Sequence, residues 1–192
     1  MKIDDAGWLI GATHCPSPNF DARPPGCDIE LLVVHAISLP PGEYGGGYIR
    51  AFFRNRLDAG AHPYFAEIAD LEVSAHCLIE RDGRLTQFVS FDDRAWHAGE
   101  SCWRGRERCN DFSIGIELEG CDEDGFESAQ YAQLARLAIA LGKRYPALHI
   151  AMPEPAICGH SDIAPGRKTD PGPGFDWAGF HELLNLSADT TT

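Results

Sequence analysis

Ile29-Glu30-Leu31-Leu32-Val33-Val34-His35 is a short apolar, β-branched run that ends in an imidazole. Such a run, bounded by polar and Pro/Gly-rich chain, reads as a buried strand. Outward from it, residues 73–79 and 85–89 are strand-like and flank Arg81-Asp82-Gly83-Arg84. Asp-Gly between two such runs predicts a hairpin whose two turn positions take positive φ. Residues 112–119, Phe-Ser-Ile-Gly-Ile-Glu-Leu-Glu, alternate as a further strand. Between 128 and 145, Tyr131, Leu134, Ala138, Leu141 and Tyr145 recur at helical spacing, with Ser128 as N-cap, Lys143 and Arg144 in the last turn and Pro146 as the stop. A short helix is expected over 48–54, and Asp176 is placed to cap a last helix bearing Trp177, Phe180 and Leu184. Strands interspersed with helices imply an α/β domain, a sheet covered by helices. At 192 residues the chain is expected to form one domain, 1–192. An irregular arm, rich in Pro, Gly and Cys, is expected up to about residue 28, and a frayed tail from about 187.

The chemistry concentrates in Cys158-Gly159-His160-Ser161-Asp162-Ile163-Ala164-Pro165-Gly166-Arg167-Lys168-Thr169-Asp170-Pro171-Gly172-Pro173. Its prolines exclude a helix interior or a central strand, so it reads as a stiff loop delivering side chains to a site. Lys168 and Asp170, two apart, point to one side where the loop is extended. An imidazole and a carboxylate are ordinary Zn²⁺ ligands, and a catalytic site needs three from the protein. His35 is the candidate third. A histidine ending a buried strand is more often a structural residue, but strand ends of α/β domains are where sites are assembled, and His160 stands in a similar setting. Glu117 shares a strand face with Ser113 and Gly115, as general base or as part of a solvated face. Lys168 is a candidate to stabilise an oxyanion. His76 lies on a strand, either behind the site or in the core; His14, His62, His149 and His181 show no partner pattern.

Sixteen Lys and Arg against 29 Asp and Glu give a net charge of −13. That argues against nucleic acid and against anionic membranes as partners. No apolar stretch approaches the ~18 residues of a membrane helix, and Met1 to Trp8 lack the basic and apolar regions of a secretion signal. Seven cysteines without a C-x-x-C pair fit reduced thiols in the cytoplasm.

Val34-His35, Val73-Ser74-Ala75-His76, Arg94-Ala95-Trp96-His97-Ala98-Gly99, Ser113-Ile114-Gly115-Ile116-Glu117 and the 159–172 loop occur in the order typical of zinc N-acetylmuramoyl-L-alanine amidases. Residues 37–42 and 105–112 resemble the cytosolic branch that acts on muropeptides in cell-wall recycling, and the similarity runs from Gly7 to about Phe180. The resemblance implies a mixed central sheet flanked by helices and one Zn²⁺ held by His35, His160 and Asp170. It also implies Glu117 as base, Lys168 as transition-state stabiliser, Arg108 on a peptide carboxylate, and Trp96 and His97 against the sugar or the first peptide residues. The implied reaction cleaves the amide between the lactyl group of 1,6-anhydro-N-acetylmuramic acid and L-alanine, which would also quiet the signal that induces β-lactamase. The substrate is acidic, so Arg104, Arg106, Arg108 and Lys168 are expected to form a positive patch; a monomer is the expected state. Ala36 departs from the pattern, where Asn usually follows the first ligand. Two alternatives use the same fold: a non-catalytic peptidoglycan-recognition module, which typically lacks a full ligand set, and a phage-type lytic amidase acting on intact wall.

Overall fold

The computed structural model describes residues 1–150 and 154–189. In chain order the elements are β1 (Thr13–His14), β2 (Phe20–Ala22), β3 (Leu31–Ile37), α1 (Tyr48–Phe52), α2 (Pro63–Ile68), β4 (Cys77–Ile79), β5 (Leu85–Gln87), β6 (Asp93–Ala95), β7 (Cys102–Trp103), β8 (Arg106–Glu107), β9 (Ser113–Glu119), α3 (Ser128–Arg144), β10 (Ile157–Gly159), α4 (His160–Ile163) and α5 (Trp177–Asp189). Six strands form a mixed sheet in the order β1-β5-β4-β9-β3-β10. The buried run at 29–35 becomes β3, parallel to both its neighbours, β9 and β10.

Side chains alternate across a strand, so β3 and β9 each serve two layers. Leu32, Val34, Ile114, Ile116 and Leu118 face one way, into a core closed by Leu134, Leu137, Ala138 and Leu141 of α3 and Phe180 and Leu184 of α5. Leu31 and Val33 of β3 face the other way, packed with Ala98, Cys109, Phe112, Cys158 and Ile163. His35 follows them on that second face, and the register sets it opposite Glu117. A second apolar cluster on α1 and α2, including Phe52, Phe53 and Phe65, closes over Leu78 and Phe88.

Four expectations need adjustment. The arm before residue 29 is only partly irregular: β1 extends the sheet alongside β5, and β2 pairs with β6. Arg23 fixes it, because its buried guanidinium donates to the carbonyls of Phe91, Asn110, Asp111 and Ser113 at 2.9–3.2 Å. The hairpin between β4 and β5 forms, but Gly83 alone takes a positive φ (83°) in its turn. The run at 73–79 is strand only from Cys77, since Val73 and Ser74 bond instead to Asn19 and to Trp96. The N-cap of α3 is Glu127, one residue before the expected Ser128, with its N–H donating to Gln130 Oε1. The cap on α5 is Asp176 as expected, accepting from the Gly179 N–H. That helix runs to Asp189, into the tail expected from 187; residues 190–192 lie outside the described residues.

Candidate metal centre and active site

Three short elements deliver the centre. β3 carries His35 two residues before its end at Ile37, β10 leads directly into α4 and its first residue His160, and the following loop returns to present Asp170. That return is held by a hydrogen bond from the Ser161 N–H to the Asp170 carbonyl at 3.0 Å. Because β10 lies beside β3, with Gly159 paired to Val34, the two histidines arrive as neighbours. Their Nδ1 atoms are 3.0 Å apart, and Asp170 Oδ2 lies 3.1 Å from that of His160 and 3.3 Å from that of His35.

This triangle fits a small tetrahedral cation. Ligand bonds of ~2.0–2.1 Å imply ligand–ligand edges of about 3.3–3.4 Å, close to the three distances found. His160 Nε2 is 3.3 Å from the Ala98 carbonyl, which can only accept, so its Nδ1 carries the lone pair that faces the triangle. Burial pushes the His35 imidazole down to about 4, so it is neutral at pH 7. Burial opposes ionisation of Asp170, but its hydrogen bonds to His160 and His35 hold the carboxyl well below the usual range. Two imidazoles and one carboxylate, with ligating atoms converging on a point, suit a divalent ion.

Glu117 stands on the same sheet face, 8% exposed, with its Oε2 lacking a hydrogen-bond partner among the described residues. Burial, reinforced by the negative Asp170 and opposed by Lys168, pushes its carboxyl well above the usual range. A buried carboxyl kept proton-hungry beside a metal site has the properties of a general base.

These residues share a cavity of about 740 Å³, lined by His35, Glu117, His160, Lys168 and Asp170 on its polar side. Phe52, Phe53, Tyr64, Ile68, Val73 and Trp96 line its apolar side. Ala36 also lines it, presenting a methyl group where the family pattern leads one to look for an amide. The loop over 39–47 forms part of the rim and is pinned across it: the Tyr44 hydroxyl donates to Asp124 Oδ2 at 2.5 Å and the Gly45 N–H to Glu119 Oε1 at 2.6 Å.

Of the eight residues singled out in the sequence, the structure gathers seven here. Arg108 is the exception. It is 72% exposed, pairs with Asp111 at 3.3 Å and lines a neighbouring cleft with Ser101, Ile163 and Arg167. The positive patch is not assembled at the cavity. Arg106 pairs with Glu30 and lies over the Phe112 ring, and Arg104 lies over Trp103. These arginines belong to the separate β7–β8 ribbon or its end, so only Lys168 of the four reaches the cavity wall.

His97 touches the cavity, and both its ring nitrogens have protein partners, Nδ1 with His35 Nε2 at 2.9 Å and Nε2 with Ser113 Oγ at 3.1 Å. Sequence reasoning missed two supports. Asn110 Oδ1 accepts from the N–H groups of His97 and Ala98 at 3.1 and 2.8 Å, and Arg167 donates to the Ala98 carbonyl at 2.6 Å. Neither has a signal in a single sequence, because both act through backbone atoms. His76 resolves as a residue behind the site: its Nδ1 accepts from the Gly115 N–H and its ring lies edge-on to that of His97.

The profile of the N-acetylmuramoyl-L-alanine amidase family matches residues 25–173. A 1,6-anhydro-N-acetylmuramyl-L-alanine amidase, AmpD, of Citrobacter freundii is 59% identical over 184 residues, 96% of each chain. The crystal structure of a selenomethionine AmpD derivative superposes with a TM-score of 0.90 at 58% identity, covering 96% of this chain and 99% of that one. More distant is the Escherichia coli amidase AmiD, solved with the substrate anhydro-N-acetylmuramic acid-L-Ala-D-γ-Glu-L-Lys; it is 31% identical with a TM-score of 0.57, over 84% of this chain and 60% of that one. With the family match spanning most of the sequence and a relative 59% identical along nearly all of it, the chain belongs to the N-acetylmuramoyl-L-alanine amidase family.

Proposed function

We propose that the protein is a zinc-dependent amidase that cleaves soluble anhydromuropeptides between the lactyl group of 1,6-anhydro-N-acetylmuramic acid and L-alanine. The observation that carries this reading is the triangle of His35 Nδ1, His160 Nδ1 and Asp170 Oδ2, with Glu117 Oε2, unpartnered among the described residues, on the same sheet face. The substrate follows the similarity to AmpD and to the AmiD complex.

In this reading His35, His160 and Asp170 hold one Zn²⁺. When bound, the ion supplies Lewis acidity, which acidifies water and polarises a carbonyl. Glu117 takes the proton of the attacking water at its free Oε2 and returns it to the departing amine of L-alanine. The Lys168 ammonium, at the cavity wall, neutralises the oxygen that gains charge as the carbon becomes tetrahedral. Trp96 and the phenylalanines beside it take the less polar faces of the sugar. Arg108, outside the cavity, is placed for a carboxylate further along the stem peptide, where a guanidinium binds in bidentate fashion. The protein acts as a monomer in the cytoplasm. Seven free cysteines suit that reducing compartment, and among the described residues no helix is long and apolar enough to cross a membrane.

The test is a mass-spectrometric digest of a defined anhydromuropeptide with zinc-loaded and chelated protein. Release of anhydro-N-acetylmuramic acid and intact peptide only in the zinc-loaded sample is expected. Absence of both products would reject the reading, and faster release from intact sacculi than from the soluble substrate would favour a lytic amidase.

A further inference from the structure

The polar contacts behind His35 lead to a single backbone carbonyl. Ser113 Oγ lies 2.6 Å from the carbonyl oxygen of Cys109 and 3.1 Å from Nε2 of His97. A carbonyl only accepts, and a hydroxyl has one hydrogen to give. Ser113 therefore donates to Cys109 and accepts from His97. That fixes the His97 proton on Nε2 and leaves Nδ1 bare, 2.9 Å from Nε2 of His35. His35 must then donate from Nε2, which turns the lone pair of its Nδ1 towards His160 and Asp170. The opposite direction fails twice. It would put a proton inside the ligand triangle, and it would ask Ser113 to donate two hydrogens.

We propose that His97 is a positioning residue of the metal centre: it accepts from His35 and, through Ser113 and the Cys109 carbonyl, holds His35 in the tautomer that can ligate. Partners of this kind orient metal-bound histidines and raise their basicity. The surroundings are built for this ring. A Cβ on Gly115 would lie 2.4 Å from His97 Cγ, so strand β9 has no side chain where the imidazole packs. The ring meets His35 edge-on at 5.0 Å between centroids and His76 at 5.8 Å. Its backbone is clamped by Asn110, whose carbonyl oxygen also holds the N–H of Ala98, the residue whose carbonyl orients His160. One segment thus sets the tautomers of both histidines.

The inference rests on the zinc reading above, and its test separates the two. In zinc-loaded protein labelled with ¹⁵N-histidine, two-bond proton–nitrogen correlation should show His97 and His35 both protonated at Nε2. A proton on His97 Nδ1 would overturn the proposal without any mutation. Zinc affinity is then measured by chelator competition, with melting of the metal-free proteins as the folding control. His97→Leu, which keeps bulk but cannot accept, should bind zinc about 10–100-fold more weakly. His97→Asn offers an amide oxygen near the place of Nδ1 and should recover affinity to within about threefold of the unmutated protein. Equal affinity in His97→Leu, or an Asn variant as weak as Leu, would sink the proposal. Unmutated protein that takes up no zinc would instead sink the zinc reading.

Discussion

Consider Glu117→Gln, which keeps the shape of the side chain and removes its charge. Loss of a general base costs ~10²–10⁴ in rate, which is about 2.7–5.4 kcal/mol at 1.36 kcal/mol per tenfold. The same change should steady the metal-free fold. Glu117 is buried with an unpartnered oxygen, and its carboxyl titrates well above the ordinary glutamate value of 4.5, chiefly because burial disfavours the anion. A carboxyl whose pKa is raised by folding gives up its proton more readily in the unfolded chain, so the fold loses stability as pH climbs from about 4.5 towards the folded-state value. Leaving a buried polar group unsatisfied costs ~1–3 kcal/mol, more when it is charged. Glutamine should recover at least about 1 kcal/mol of this near neutral pH, or ~2–4 °C in melting temperature for a chain of this size. Below about pH 4 the gain should vanish, since the carboxyl is then protonated in both states. Steady-state hydrolysis by zinc-loaded enzyme and calorimetry of metal-free protein at both pH values read the two effects. A near-normal kcat removes Glu117 from the mechanism, and a melting temperature no higher than that of the unmutated protein at neutral pH refutes the account of its environment.

Lys168→Met should lower kcat by ~10²–10³ with little change in KM, the signature of a contact made mainly in the transition state; an effect confined to KM would place Lys168 in substrate binding instead. Removing zinc with a chelator should abolish hydrolysis and lower the melting temperature. Free zinc at a thousand times its Kd adds about 4 kcal/mol, or ~8–16 °C, and a melting curve indifferent to zinc would contradict the site. In metal-free Glu117→Gln, where the carboxylate no longer contributes, acid should weaken the fold through buried histidines. His35 and His76 titrate at about 4 and about 3 against an ordinary 6.5, in both cases chiefly through burial. The unfolded chain therefore binds protons first, and stability is lost as pH falls from about 6.5 towards 4; urea midpoints that stay level across that range would refute this.

Much of the site was legible because strand periodicity carries direction. His35 ends an apolar run and Ser113, Gly115 and Glu117 share one face of the next strand inward, so their sides follow from the spacing alone. What could not be read was which strand lies beside which: that His35 sits opposite Glu117 depends on pairing across some eighty residues of sequence. Small residues at 113 and 115 were a signal of a ring lodged over the strand, but they do not say whose ring. For His97 no pattern in the sequence discloses that its ring packs against the bare Cα of Gly115. The arm was misread for a related reason. Proline- and glycine-rich chain has little intrinsic preference, and the order of residues 20–23 comes from four distant carbonyls gathered by Arg23. Arg108 stands on a local left-handed turn (φ 62°) that faces another cleft, which no linear pattern discloses.

The reach of Arg23 bears on how little of this chain can be cut away. The family profile begins at residue 25 and stops at 173, yet a fragment trimmed to those limits would not be a self-sufficient folding unit. It would strand the carbonyls of Phe91, Asn110, Asp111 and Ser113 without their shared cation, and peel off the terminal helix whose Phe180 and Leu184 seal the far side of the sheet. Limited proteolysis should find the excised 25–173 piece loose and rapidly degraded, while a cut in the exposed turn near Gly11 leaves a resistant, metal-competent body. Likeness to a family along a recognisable segment and sufficiency of that segment to stand alone are separate properties, and here one guanidinium and one helix keep them apart.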